Sequence, residues 1–262
     1  PGLRFPTGTF PNGMIGNPET WERQLKLSSF ATYSGIAGHS MRFGLGHDDL
    51  NLYQTKETRN FTYTPSGLPI PGSALLDFTN IDPFLRPQRR KVNYVYAQDE
   101  WTLAQDWALT AGVRRDSYSD FGATTNPRLA LVWDASLDLT AKLLYGTAFR
   151  APAFGESYGL ANPVFIGNPN LRPETIKTVE AAFAWQARRD TQVNLNVFQY
   201  KMKDIIRTVP NAIVGTGATF KNTGRQNGKG VELEMVWNAS HNLHVVGDYA
   251  YQKSIDQPTN KD

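Results

Sequence analysis

A two-residue alternation of apolar and polar side chains dominates this chain and recurs in about ten segments. In one of them Trp107, Leu109, Ala111 and Val113 alternate with small, polar or charged residues such as Arg114. Successive side chains of a strand point to opposite faces, so this period predicts strands with one apolar face. The other segments lie at residues 25–33, 41–45, 95–103, 129–133, 141–145, 179–185, 193–197, 231–237 and 243–251.

The predicted strands are about 10 to 14 residues long, roughly twice the usual length in soluble sheets. A strand of about 9 to 11 residues, tilted near 45°, crosses the hydrocarbon core of a bilayer. No stretch of the sequence reaches the 18 or so consecutive apolar residues that a membrane-spanning helix needs. The sequence therefore predicts an all-β protein that crosses a membrane with strands.

The predicted connections alternate between short and long. Because antiparallel strands alternate in direction, all the short links fall at one end of the sheet and all the long links at the other. Short periplasmic turns and long extracellular loops are typical of outer-membrane barrels, so the sequence predicts an antiparallel up-and-down transmembrane β-barrel, here a partial barrel of about ten long strands. The short links are predicted at residues 34–38, 104–105, 135–137, 188–190 and 240–241, and the long ones at Tyr53–Arg90, Ser117–Thr125, Ala151–Pro173 and about Arg207–Gly217.

Five of the six tryptophans occupy the same alternating positions as the apolar residues, and each lies beside a short link. An interfacial aromatic girdle is expected at this height. The positions that alternate with the apolar ones carry glycine, alanine and threonine together with charged side chains. This composition is typical of a polar lumen. We therefore expect Val113, Leu131, Phe183, Leu195 and Leu233 to face lipid, and Arg114, Glu180, Asn194 and Glu232 to lie on the concave side. The five tryptophans are Trp101, Trp107, Trp133, Trp185 and Trp237, and Trp21 lies at the long-loop end.

Composition excludes several kinds of chemistry. The chain has no cysteine, which removes disulfides, thiolate zinc sites, iron–sulfur clusters and cysteine nucleophiles. Its 27 Lys plus Arg against 24 Asp plus Glu give a net charge of +3 without a basic block, so no nucleic-acid partner is expected. None of the four histidines stands at metal-ligand spacing. We expect no catalytic residues, no metal site and no cofactor.

One pair of motifs is more specific than the periodicity. The first lies in residues 144–158, the second in residues 167–175, and the loop between them is long. Together they resemble the TonB-dependent outer-membrane receptors, whose barrels carry a Phe-Arg-Ala-Pro segment, a loop and then a Gly-Asn-Pro-x-Leu-x-Pro-Glu segment. Weaker similarities extend the resemblance from about Val92 to Ser254, and the first ninety residues carry no such motif. The motif residues are Phe149, Arg150, Ala151, Pro152, Asn168, Pro169, Leu171, Pro173 and Glu174.

The motif residues have a mainly structural interpretation. Pro152 and Pro173 mark strand ends, because proline cannot serve a central ladder. Arg150 and Glu174 flank the same long loop, and we expect them to pair at the rim of the barrel.

The resemblance also implies parts that this sequence does not contain. It implies an N-terminal plug, a short motif that contacts the energy-transducing TonB complex, and a closing strand that ends in an aromatic residue. Family barrels have 22 strands and a plugged lumen. Residues 1–262 are therefore interpreted as an internal part of the barrel domain, with outer-membrane lipid and, through the missing N-terminal region, the TonB complex as partners.

The function implied by the resemblance is active uptake of a scarce nutrient across the bacterial outer membrane. A ferric siderophore is the default substrate, with haem and cobalamin left open. The long loops are the expected place for ligand contacts, because aromatic side chains with an excess of positive charge suit an anionic metal chelate. The candidate contacts are Arg59, Tyr63, Phe84, Arg86, Arg89, Arg90, Phe154, Tyr158 and Phe165.

Three other functions remain open at the level of sequence. A passive porin would use the same strands without a plug or an energy-transducing partner. A soluble all-β binding module would have the same alternation in a sandwich core. An outer-membrane enzyme is disfavoured by the missing catalytic constellation.

Overall fold

The computed structural model describes residues 2–160, 164–213 and 217–258. Within these ranges the chain forms fourteen strands and one five-residue helix. The elements are β1 (Leu3–Phe5), β2 (Gly8–Phe10), β3 (Gly16–Tyr33), β4 (His39–Tyr63), β5 (Pro69–Asp77), β6 (Gln88–Ala104), β7 (Trp107–Tyr118), β8 (Gly122–Ser136), β9 (Leu139–Arg150), α1 (Phe154–Tyr158), β10 (Phe165–Ile166), β11 (Glu174–Arg188), β12 (Thr191–Pro210), β13 (Ala218–Ser240) and β14 (Leu243–Pro258).

Ten of these strands are long, with 12 to 25 residues each. They form one sheet in the order β3-β4-β6-β7-β8-β9-β11-β12-β13-β14, and each is antiparallel to its neighbours. In the described part of the chain β3 pairs only with β4, and β14 only with β13, so the sheet is not closed. The predicted up-and-down arrangement of about ten long strands is confirmed as a partial barrel.

The short links are confirmed to within one or two residues. They occupy residues 34–38, 105–106, 137–138, 189–190 and 241–242, and they share one end of the sheet, here called the short-turn end. The opposite end is the long-loop end.

Three of the four predicted long loops have the wrong limits. The segment Tyr53–Arg90 is not one loop, because it contains the end of β4, all of β5 and the start of β6. Only three residues, 119–121, connect β7 to β8 where Ser117–Thr125 was predicted. Strand β12 continues to Pro210, so residues 207–210 are not part of a loop. The Ala151–Pro173 connection is confirmed between β9 and β11, and it includes α1 and β10.

A β-bulge at Tyr53 explains the first of these errors. Trp21 of β3 pairs with Gln54 of β4, whereas Glu22 pairs with Leu52, so Tyr53 is an extra residue on β4. An extra residue exchanges the two faces of a strand. The buried position is even-numbered at Leu52, and beyond the bulge the buried positions are odd-numbered, at Thr55, Glu57, Arg59 and Phe61.

The predicted division of the two faces is confirmed by the register. Phe183 lies opposite Leu195, which lies opposite Leu233, and odd positions pair with odd positions from β4 to β14 within the membrane part of the sheet. Even positions pair with even positions, for example Asn196 with Glu232. Glu180 and Phe183 therefore face opposite sides of β11.

The core of the described residues lies at the long-loop end. The short hairpin of β1 and β2, which carries no alternation long enough to predict it, packs there against β5. The Thr7 hydroxyl donates a hydrogen bond to the Pro69 carbonyl. The buried apolar side chains are Phe10, Leu52, Phe61, Leu85, Val92, Leu171 and Ile206.

Candidate functional site

One face of the sheet is apolar and exposed. Large apolar side chains at odd positions of the long strands, such as Leu45, Val95 and Leu143, keep 54 to 60% of their surface accessible. An exposed apolar face of this extent needs an apolar surrounding. This is the face that contacts lipid in a transmembrane barrel.

An aromatic girdle closes the apolar face at the short-turn end. Trp107 lies directly opposite Trp133 with the rings stacked at 5.1 Å, and the His39 ring stacks on Trp101 at 5.1 Å. Trp185 and Trp237 lie on the same side beside their own turns. The predicted tryptophan girdle is confirmed.

The concave face carries positive charge along β4, β7 and β8. Arg42, Arg114 and Arg128 line a concavity of about 560 Å³ together with Tyr94 and Tyr96. The Arg114 guanidinium lies 3.8 Å from the Tyr94 ring centroid and also donates to Asp116. In the described part of the chain neither Arg42 nor Arg128 has a carboxylate partner. This half of the lumen, here called the basic half, suits an anionic group.

The concave face carries negative charge along β13 and β14. Glu232, Glu234 and Asp248 line a second concavity of about 470 Å³, with Lys142 as the cation in its lining. Glu234 lies opposite Asp248 in the register and accepts a hydrogen bond of 2.8 Å from Asn194. The lumen is thus divided into a basic half and an acidic half.

The two motif segments meet through Arg150. Its guanidinium donates to both carboxylate oxygens of Glu174 at 2.7 and 2.8 Å, and to both oxygens of Glu156 in α1 at 2.9 and 3.0 Å. Glu174 also accepts from the backbone N–H of Ile206 at 2.8 Å. The expected pairing of Arg150 with Glu174 is present, and it ties β9, β11, β12 and the long loop together.

The second motif segment is anchored to β13. The Asn168 amide donates to the Phe220 carbonyl at 3.0 Å, and its oxygen caps the N–H of Asn170 at 3.0 Å. Leu171 is buried, and Pro152 of the first segment is fully buried. Phe149 contacts the Tyr118 ring edge-on at 5.7 Å. Each of these contacts is internal to the protein.

Arg90 is the centre of a second cluster at the long-loop end. It donates to both oxygens of Asp120, at 2.6 to 3.0 Å, and to the Pro152 carbonyl at 2.9 Å. Its guanidinium lies 4.9 Å from the Phe154 ring centroid, and only 6% of the residue is exposed. Burial, followed by the charge of Asp120, raises the pKa of the Tyr158 hydroxyl. The structure thus brings together three predicted ligand contacts, Arg90, Phe154 and Tyr158.

Arg59 is the centre of a third cluster, beyond the bulge in β4. It donates to Glu57 at 3.1 Å, to Asp82 and to the Phe61 carbonyl at 3.1 Å, and it is 5% exposed. Its guanidinium lies 5.9 Å from the Tyr63 ring centroid. Glu57 in turn accepts from the N–H of Phe84 at 2.6 Å. Arg59, Tyr63 and Phe84 therefore belong to one assembly.

The remaining predicted contacts are separate. Arg86 is exposed and lines a concavity of about 400 Å³ with Tyr53 and Thr79, and no ion pair joins it to another described residue. Arg89 is joined to Asp49 at 2.8 Å. Phe165 packs edge-on against Phe220 with centroids 5.4 Å apart. Of the four candidate arginines, Arg86 is the one without an ion pair among the described residues, which leaves its guanidinium available for an external anion.

Sequence reasoning missed the acidic partners Glu57, Asp82 and Asp120 and the lumenal Arg42 and Arg128. The lumenal pair carried a usable signal, since both residues stand at even positions of predicted strands. Asp82 and Asp120 carried none, because their contacts with Arg59 and Arg90 span 23 and 30 residues. Glu57 lies only two residues from Arg59, but a charged pair at that spacing does not by itself predict a buried ion pair.

No group of three or more metal-ligating side chains occurs among residues 2–160, 164–213 and 217–258. In the same ranges no helix is long and apolar enough to cross a membrane.

The chain has an open sheet of long antiparallel strands, an exposed apolar face, a tryptophan girdle and a polar concave face. These features define part of an integral β-barrel of the bacterial outer membrane. The short-turn end is its periplasmic end and the long-loop end is extracellular. The chain belongs to the TonB-dependent receptors, since the family described as TonB dependent receptor-like, beta-barrel matches residues 3–262.

Relatives agree with this assignment. The chain is 27% identical over 182 residues, 63% of its length, to the iron-regulated outer membrane virulence protein of Vibrio cholerae, and covers 28% of that protein. It is 30% identical over 138 residues, 51% of its length, to the vitamin B12 transporter BtuB of Vibrio cholerae, and covers 20% of it. The siderophore receptor PirA from Pseudomonas aeruginosa has the same fold, with a TM-score of 0.67 and 19% identity over 94% of this chain and 45% of PirA. The chain thus spans less than half the length of these relatives.

Proposed function

We propose that this chain forms part of a receptor that takes up a ferric siderophore by TonB-dependent active transport. The observation that carries the proposal is the family match over residues 3–262. One relative is named as iron-regulated and a structural neighbour as a siderophore receptor, which favours an iron chelate. The family is one of receptors and transporters rather than enzymes.

The charge of the concave face supports an anionic cargo. Arg42 and Arg128 have no carboxylate partner in the described residues, and Tyr94 and Tyr96 lie beside them. Guanidinium groups and aromatic faces are the side chains that recognise planar, anionic chelates. A chelate that leaves the extracellular loops would therefore meet the basic half of the lumen.

The roles of the candidate contacts follow from their surroundings. Arg86 is proposed as the direct extracellular contact for the chelate, because it is exposed and has no ion pair within the described part of the chain. Arg59 and Arg90 are proposed to hold the loops in place, since both are buried and fully engaged with protein acceptors. The motif residues Arg150 and Glu174 are proposed to have the same structural role.

The domain arrangement is also a proposal. Residues 1–262 are part of one barrel domain, and the plug and the closing strands are placed elsewhere in a longer protein. The open edges at β3 and β14 and the coverage of PirA at 45% support this arrangement. The partners proposed are outer-membrane lipid, the TonB complex through the region outside this sequence, and a metal chelate.

Growth on a ferric siderophore as sole iron source tests the function in the full-length receptor. Uptake should saturate at low concentration and stop when TonB is absent. Replacing residues 64–87 by a short glycine-serine turn should abolish uptake while the barrel still inserts. Uptake without TonB that saturates only at millimolar concentration would establish the passive porin instead.

Vitamin B12 is the second candidate cargo, because a B12 transporter is 30% identical over 138 residues. A competition assay separates the two cargoes. If cobalamin, and not the ferric chelate, blocks uptake through the receptor, the iron assignment is wrong and the transport mechanism stands.

A further inference from the structure

Five lysines lie together on the lipid-facing side of β11 to β14, immediately above the apolar rows. They occupy odd positions, as Val179 and Val231 do, and all five are exposed. We call this group the lysine belt. Its members are Lys177, Lys201, Lys203, Lys229 and Lys253.

The register sets like charges directly against each other. Lys177 lies opposite Lys201, and Lys229 lies opposite Lys253. Like charges at directly opposed positions destabilise a sheet. An arrangement of this kind is stable when an anion lies between the ammonium groups.

The protein does not supply that anion from its described residues. No salt bridge joins a belt lysine to a carboxylate within residues 2–160, 164–213 and 217–258. The acidic residues of these four strands that flank the belt, such as Glu180, Glu232 and Asp256, stand at even positions and therefore face the lumen.

The other half of the barrel shows the contrast. Arg89 stands on the same outward face at the extracellular end, and its Nε donates to Asp49 at 2.8 Å. A carboxylate from the protein neutralises that cation, whereas no carboxylate of the described residues is paired with a belt lysine.

The position of the belt selects the kind of anion. The row Val179, Gln199, Lys229 and Lys253 lies directly above the row Ala181, Val197, Val231 and Tyr251. A molecule held there has its charge at the lysines and an apolar surface beside it. The outward lysines stand at the headgroup level of the bilayer, where basic residues attract anionic lipid.

We propose that the lysine belt is a binding site for the phosphate-bearing headgroup of a lipid in the outer leaflet. The acyl chains of that lipid lie against the apolar row below. The site is independent of the nutrient that the receptor carries.

The test uses the full-length receptor and lipid A with two phosphates as the probe. The variant carries Lys177→Gln, Lys201→Gln, Lys229→Gln and Lys253→Gln. After purification, mass spectrometry should find at least tenfold less lipid A retained per protein than in the wild type. The control carries Lys26→Gln, Lys56→Gln, Lys91→Gln and Lys142→Gln, which removes the same charge outside the belt, and it should retain lipid A like the wild type.

Thermal unfolding gives a second readout. In a zwitterionic detergent without lipid A the belt variant should unfold at the same temperature as the wild type or higher, because the opposed charges are gone. Added lipid A should raise the unfolding temperature of the wild type and not that of the variant. Replacing the same four lysines by arginine keeps the charge, and this variant should behave like the wild type. If the fourfold glutamine variant does not fold, the double variant with Lys229→Gln and Lys253→Gln provides a milder substitution.

Three results would overturn the proposal. One is equal retention of lipid A by the belt and control variants. Another is equal binding of lipid A from which both phosphates have been removed. The third is binding of inorganic phosphate as tight as that of lipid A, which would assign the belt to a free anion.

Discussion

Arg150 and Glu174 lie opposite each other at the last register position shared by β9 and β11, joined by hydrogen bonds of 2.7 and 2.8 Å. The carboxylate is largely buried and also holds the N–H of Ile206, while the Arg150 side chain is 46% exposed. The pair therefore works as a junction of three strands and a loop. This geometry explains why the two motif segments, separated by a long loop, occur together.

The first prediction concerns this junction. Glu174→Ala should lower the free energy of unfolding by about 1–3 kcal/mol, because it leaves the buried N–H of Ile206 without an acceptor. Glu19→Ala removes an exposed ion pair with Lys56 at 3.7 Å and should cost less than about 1 kcal/mol. Denaturant titration of the full-length protein in bilayers measures both. Equal losses in the two variants would show that the junction does not stabilise the barrel.

The second prediction separates binding from folding at the extracellular end. Arg86→Ala should weaken binding of the ferric chelate about tenfold or more, because a hydrogen bond to a charged group contributes about 1.5–3 kcal/mol. It should leave the unfolding midpoint unchanged. Arg59→Ala should instead lower the midpoint, since it leaves the buried Glu57 without its partner. Binding by fluorescence quenching and unfolding in bilayers provide the measurements, and an unchanged affinity in Arg86→Ala removes that residue from the site.

The third prediction concerns the lipid-facing side. Leu131→Arg and Leu195→Arg should each cost about 2–4 kcal/mol near the bilayer midplane. The neighbouring lumenal substitutions Ala130→Arg and Asn194→Arg should cost clearly less, because their side chains reach the polar concave face. Folding into bilayers with a denaturant titration compares the four variants. Equal costs on the two faces would contradict the assignment of lipid and lumen.

The fourth prediction concerns aromatic rings that lie flat on glycines of the concave face. The Tyr200 ring covers Gly228 on the paired strand, and a Cβ at Gly228 would overlap the ring. Gly228→Ala should therefore cost about 1–3 kcal/mol through overpacking. Gly146 lies on the same face with nothing within 4 Å of a Cβ, so Gly146→Ala should be neutral or slightly stabilising. A similar loss in both variants would exclude ring displacement as the cause.

The sequence by itself determined the membrane part of this protein. Lipid requires an apolar outer face, so residues such as Phe183 and Leu195 must alternate with lumenal ones, and that alternation defines strands, faces and turns. The tryptophans beside the short turns follow from the same constraint, because the membrane interface lies at a fixed height on each strand. The motif residues Arg150 and Glu174 were recognisable because they flank one loop.

The tertiary structure alone decided the extracellular end. Outside the bilayer neither face of a strand has to be apolar. The sequence of β4 beyond Tyr53 therefore shows no alternation of apolar and polar residues from which its faces could be predicted. The bulge at Tyr53 then exchanges the faces, and pairing with β5 buries Arg59. The loop carboxylates of Asp82 and Asp120 lie 23 and 30 residues from Arg59 and Arg90. Only the folded arrangement of those loops determines which arginine is paired and which, like Arg86, forms no ion pair among the described residues.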